Sequence, residues 1–190
     1  MKTKLTKPLW VGFFGAVLLA LGMSAQANVI VIDTVSNKAT VDCTAGDVDP
    51  ACEGVIGTGV LSPAFADLYD TGNASEAQET TFLNSLMDLS LTANNATRIQ
   101  TGGADSAQFI TSAAWFAIKT GLGTAFFRNN GGEIDLTVLY EKAEVGGQGM
   151  GISHVTFWGG TTTRVPEPGT VALFGAGLLA LALMRRRRAA

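Results

Sequence analysis

The run Ala113-Ala114-Trp115-Phe116-Ala117-Ile118-Lys119, then Gly121-Leu122-Gly123, then Thr124-Ala125-Phe126-Phe127-Arg128 decides the fold class. Two aromatic-rich apolar runs parted by a glycine-bracketed break read as the arms of a β-hairpin. Asn130-Gly131, a type I′ turn pair, leads into Glu133 to Tyr140, where Ile134, Leu136, Val138 and Tyr140 alternate with Glu133, Asp135, Thr137 and Leu139. A period of two marks a half-buried strand. A last strand, Ile152 to Trp158, follows the glycine-rich Gly146 to Gly151.

Towards the N-terminus, Asn28 to Val35 is rich in β-branched residues and reads as a strand, and Gly57 to Leu61 reads as another short one. One helix is expected to start near Asn73, with Asn73 as N-cap, Glu76 three residues on, and an apolar stripe of Ala74, Ala77, Phe82, Leu86 and Leu89. It should end before the Asn94-Asn95 turn signal. Short strands, glycine-rich turns and a single helix predict a mainly β fold, an antiparallel β-sandwich ectodomain with one short helix.

The chain has 190 residues, a net charge of −3, 47% hydrophobic and only 15% charged residues. Its mean hydropathy of +0.28 is an average over unlike parts. Lys2, Lys4 and Lys7 precede one apolar run, and Arg185, Arg186, Arg187 and Arg188 follow another. Between Asn28 and Arg164 six Lys/Arg face fifteen Asp/Glu, a net charge of −9. Single, scattered basic residues argue against nucleic-acid binding, which needs clustered Lys/Arg on phosphates.

At the N-terminus, Lys2 to Lys7, the apolar Leu9 to Met23 and the small-x-small Ala25-Gln26-Ala27 form a secretory signal peptide, with signal peptidase expected to cut before Asn28. The chain then divides into residues 1–27, an exported β-rich domain over 28–164, and a C-terminal segment over 165–190. At the C-terminus, Val171 to Met184 is apolar for fourteen residues, which cover about 21 Å of a roughly 30 Å hydrocarbon core. Four adjacent arginines hold its far end on the cytoplasmic side, so a C-terminal transmembrane helix is expected. Before it, Pro166-Glu167-Pro168 enforces an extended, accessible backbone.

Pro166-Glu167-Pro168, the short apolar helix and the Arg185 to Arg188 cluster together resemble the PEP-CTERM sorting signal of Gram-negative bacteria. The resemblance covers about the last 25 residues. It implies processing by exosortase, an integral-membrane cysteine transpeptidase, and passage from an inner-membrane-anchored precursor to the cell surface or matrix, usually in species that make exopolysaccharide. The other reading is a permanent C-terminal anchor. More loosely, Phe116-Ala117-Ile118-Lys119 and Gly151-Ile152-Ser153-His154 are similar to the Phe-x-x-Lys and Gly-x-Ser-His strands of many small PEP-CTERM ectodomains. That likeness implies a shared β-rich surface domain and no catalytic residue.

Cys43 and Cys52, an even pair in an exported segment, are expected to form a disulfide stapling an irregular loop. That loop, Val41 to Gly54, carries Asp42, Asp47, Asp49 and Glu53, oxygen ligands of the kind Ca²⁺ takes, but their spacing is not an EF-hand's. A solvated acidic loop without metal is the expectation. His154 is the single histidine, on a strand, with no partner legible in the sequence. Gly146 to Gly151 lacks the Lys-Ser/Thr of a phosphate-binding loop. No cofactor is expected, and no enzyme.

These features lead to an exported, exosortase-sorted surface or exopolysaccharide-matrix protein with a structural or adhesive role. One alternative is a carbohydrate-binding module that stacks sugars on Trp115 and Trp158. A secreted hydrolase using two of the many carboxylates is a third reading.

Overall fold

The structure is a computed structural model that describes residues 27–33, 35–44, 49–141 and 151–165. Two six-stranded sheets face each other. The first runs, edge to edge, β12 (Thr162–Arg164), β7 (Ser106–Thr111), β10 (Ile134–Glu141), β1 (Asn28–Asp33), β2 (Lys38–Asp42), β5 (Phe65–Asp67). The second runs β4 (Leu61–Ser62), β3 (Cys52–Val55), β9 (Thr124–Asn129), β8 (Trp115–Thr120), β11 (Ile152–Trp158), β6 (Ala96–Ala104). The fold is mainly β and sandwich-like, with α1 (Glu76–Met87) over the outer face of the second sheet.

That third layer explains why β8 and β9 are apolar on both faces. Phe116, Ile118 and Phe127 point into the inter-sheet core with Ile30, Phe109, Leu136 and Val138. Trp115, Ala117 and Phe126 form a second core with Leu83 of α1 and Trp158. The alternation expected for Ile134 to Tyr140 is present, each of the four apolar residues being buried. The 113–128 hairpin also forms, with Phe116 opposite Phe127 and their rings stacked at 5.0 Å.

Several expectations need correction. β1 and β10 pair in parallel, Ile30 beside Val138, so the sandwich is not wholly antiparallel. Alternation specifies which face is buried but not the direction of the partner. Asn130-Gly131 does not make a type I′ turn, which needs positive φ at both residues. In this segment only Gly132 has positive φ, and the chain crosses there from β9 in one sheet to β10 in the other. Of the strand expected over Gly57 to Leu61, residues 57–60 are instead a turn between β3 and β4, with Gly57 and Gly59 left-handed, and only Leu61 is in a strand, opening β4. Strands β6 and β7 precede Ala113, their polar and glycine-containing sequences masking them.

The N-cap is Ser75, not Asn73. Its hydroxyl accepts from the Gln78 N–H, while the Gln78 side chain accepts from the Ser75 N–H, a complete capping box. The helix closes at Asp88 in the left-handed conformation, ahead of Asn94-Asn95 as expected, so that Leu89 of the expected stripe lies beyond it. Cys43 and Cys52 are disulfide-bonded and buried. The bridge staples more than a loop, since Cys43 follows β2 in the first sheet and Cys52 opens β3 in the second.

The expected signal peptide as far as residue 26, with Ala25, and Pro166-Glu167-Pro168, the apolar run, Arg185 to Arg188 and residues 142–150 lie outside the described residues; Ala27, the first described, precedes β1.

Candidate functional site

The outer face of the second sheet carries its polar residues in cross-strand rows. In one row Gln100, His154 and Lys119 stand side by side on β6, β11 and β8; in the next, Arg98, Thr156 and Ala117 do. Register therefore brings Lys119 of Phe-x-x-Lys directly beside His154 of Gly-x-Ser-His. A β-bulge between Ile152 and His154 shifts the pairing just before this row. Gly151, at φ 64°, enters the bulge so closely that a Cβ would collide with the Gly103 carbonyl.

Glu79 descends from α1 onto these rows, fully buried. Its Oε1 accepts from His154 Nε2 at 2.8 Å, and its Oε2 accepts from Arg98 Nη2 at 2.8 Å and Thr156 Oγ1 at 2.7 Å. Burial pushes the carboxyl pKa up, but the bonds from His154 and Thr156 and the charges of His154 and Arg98 more than offset it, so the pKa lies below the ordinary range. Arg98 also donates to the Ala74 carbonyl at 3.2 Å and lies 3.7 Å from Glu76. At the next position of α1, Thr80 accepts from the Trp158 indole N–H at 2.8 Å. The buried face of α1 is thus Glu79, Thr80 and Leu83, which an apolar-stripe reading passes over because two of the three are polar.

His154 Nδ1 lies 3.3 Å from Ser153 Oγ. Glu79, His154 and Ser153 follow the acid–imidazole–hydroxyl order of a proton relay. Here the hydroxyl belongs to the adjacent residue, and the second carboxylate oxygen is held by Arg98 and Thr156. The geometry suits a fixed clamp of helix to sheet.

Beside the clamp opens a cleft of about 750 Å³ lined by Asp70, Asn73, Gln100, Lys119, Leu122 and Ser153, among others. The Lys119 ammonium donates to Thr71 Oγ1 at 3.3 Å. Burial lowers its pKa, a shift opposed by the charges of Glu79 and Asp70.

Trp115 and Trp158 are 9% and 1% exposed beneath α1 and have no free face on which a sugar could stack, so the expected sugar contacts are corrected. In the Cys43–Cys52 region, Asp42 accepts from Thr44 and Glu53 pairs with Arg128 at 3.1 Å; Asp47 lies outside the described residues. Among the described residues no three His, Cys, Asp or Glu side chains converge as metal ligands. Glu79, Arg98 and the wall residues Asp70 and Asn73 escaped sequence reasoning as site residues. The one signal near them was the pair of strand motifs that end in Lys119 and His154.

β12 pairs with β7, Arg164 opposite Phe109, and the Val165 N–H donates to the Gln108 carbonyl at 3.0 Å. The folded domain therefore holds the chain up to the residue before Pro166. Residues 164–188 match the model of the PEP-CTERM protein-sorting motif, which implies an exported protein with a membrane-anchored precursor, processed by exosortase and passed to the surface. The match spans 25 of the 190 residues, so the chain carries this sorting motif at its C-terminal end. No curated protein and no solved structure matches it significantly.

Proposed function

We propose that the protein is a non-enzymatic structural or adhesive component of the cell surface or exopolysaccharide matrix. The observation that supports this most is that a sorting motif starting at Arg164 follows, without spacer, a sandwich whose sheets are joined by a disulfide. Such a bridge suits an oxidising exterior, and the single histidine is engaged in holding α1. In this reading signal peptidase removes residues 1–27, exosortase acts at Pro166-Glu167-Pro168, and the acidic domain is delivered outward.

Deleting residues 166–190 tests it. The truncated chain should no longer be held at the membrane or delivered to the surface, and cells producing it should lose cell–cell or matrix adhesion. Unchanged localisation would sink the sorting route, and unchanged adhesion the adhesive role. Intact mass of the surface protein locates both cleavage points.

A further inference from the structure

The cleft beside the Glu79 clamp contains an unusual mixture of hydrogen-bonding groups. Lys119 brings three N–H donors, of which Thr71 takes one at 3.3 Å. Asp70 accepts; the amides of Asn73 and Gln100 donate and accept; and the Ser153 hydroxyl does both. Vicinal hydroxyls need this chemistry, since each both gives and receives a hydrogen bond. Leu122, 40% exposed, offers the apolar contact that the C–H face of a sugar ring requires. About 750 Å³ lies within the range of small-ligand sites. Gly72 and Gly102, both at positive φ, leave open space where side chains would stand.

Charge selects among oxygen-rich ligands. Of the residues that line the cleft, Lys119 is the one cation and Asp70 the one carboxylate, so the lining has no positive excess to offer an anion. Residues 28–164 carry a net charge of −9, which repels polyanions further.

We propose that this cleft is a binding site for a neutral saccharide, with Lys119, Asp70, Asn73, Gln100 and Ser153 hydrogen-bonding its hydroxyls. The proposal rests on the matrix reading above for the source of the sugar, and it moves the contact from the buried tryptophans to a polar floor.

The test presents the protein, purified from the surface of exporting cells, to immobilised neutral gluco-, galacto- and manno-oligosaccharides beside hexuronate oligosaccharides. Neutral glycans should bind, and Lys119→Met and Gln100→Ala should each weaken binding by about ten-fold, the loss of a hydrogen bond to the bound sugar. Gln100 and Asn73 are exposed, so Gln100→Ala and Asn73→Ala keep the test valid if Lys119→Met fails to fold. Binding to hexuronates alone, to no glycan, or undiminished in all three variants overturns the site. Protein that stays matrix-attached while the glycans remain bare refutes the cleft and leaves the matrix role standing; protein that never reaches the surface refutes the matrix role itself.

Discussion

Glu79 of α1 and His154 of β11, 75 residues apart in sequence, meet at 2.8 Å through Oε1 and Nε2 in a space closed to solvent. An ionised carboxylate only accepts, so the imidazole carries its proton on Nε2. Removing Glu79 leaves Arg98, His154 and Thr156 without their shared acceptor. Glu79→Ala is expected to destabilise the domain by about 3–5 kcal/mol, measured by urea unfolding. A loss below about 1 kcal/mol would show that the clamp is not what holds α1.

The same carboxyl imposes a pH dependence. Its pKa is lowered on folding, so its contribution is complete above the unfolded glutamate value of about 4.3 and is lost as the pH falls through the folded value. The wild-type urea midpoint should drop on acidification below about pH 4.3, and Glu79→Gln should flatten that part of the profile. Parallel profiles would contradict the assignment.

Tyr69 provides the alkaline counterpart. Burial, then the charge of Asp67, pushes its phenol up to about 12, while its hydroxyl donates to the Gly57 carbonyl at 2.9 Å. Stability from the protonated phenol is complete below the unfolded value of about 10 and is lost as the pH rises through about 12. Ultraviolet titration of phenolate should show a step near pH 12 that Tyr69→Phe removes.

The disulfide joins sheets, so its loss should be felt globally. Cys43→Ser with Cys52→Ser should lower stability by about 2.5–3 kcal/mol on the chain-entropy model for a nine-residue separation. Urea unfolding of the double variant checks the figure, and an unchanged midpoint would show that sheet packing alone aligns β2 and β3.

Trp158 is a core residue whose indole N–H bonds to Thr80. Trp158→Ala should cost about 3–5 kcal/mol, and native tryptophan emission should be blue-shifted from that of the unfolded chain. Red-shifted native emission quenched by iodide would restore the surface role that burial denies.

Strand positions in the second half were legible because alternation and aromatic runs are local patterns. Ile134 to Tyr140 and the 113–128 hairpin needed no knowledge of partners. The helix was legible in place but not in its buried face, because the polar Glu79 and Thr80 sit where an apolar stripe would be sought. Their burial makes sense only once Arg98, Thr156 and Trp158 stand opposite.

By itself the sequence determined the address of this protein, since Pro166-Glu167-Pro168, the apolar run and the arginines are read as a linear tail and require no fold. It also determined the disulfide pair, as two cysteines allow one intramolecular pairing. Only the tertiary structure decided that this bridge links the two sheets, that β1 runs parallel to β10, and that Lys119, Gln100 and Ser153 gather at one cleft beside the buried Glu79–His154 pair. Strand order and register are cooperative outcomes of packing two sheets and a helix, and a residue's chemistry at a site depends on neighbours that the local pattern does not name.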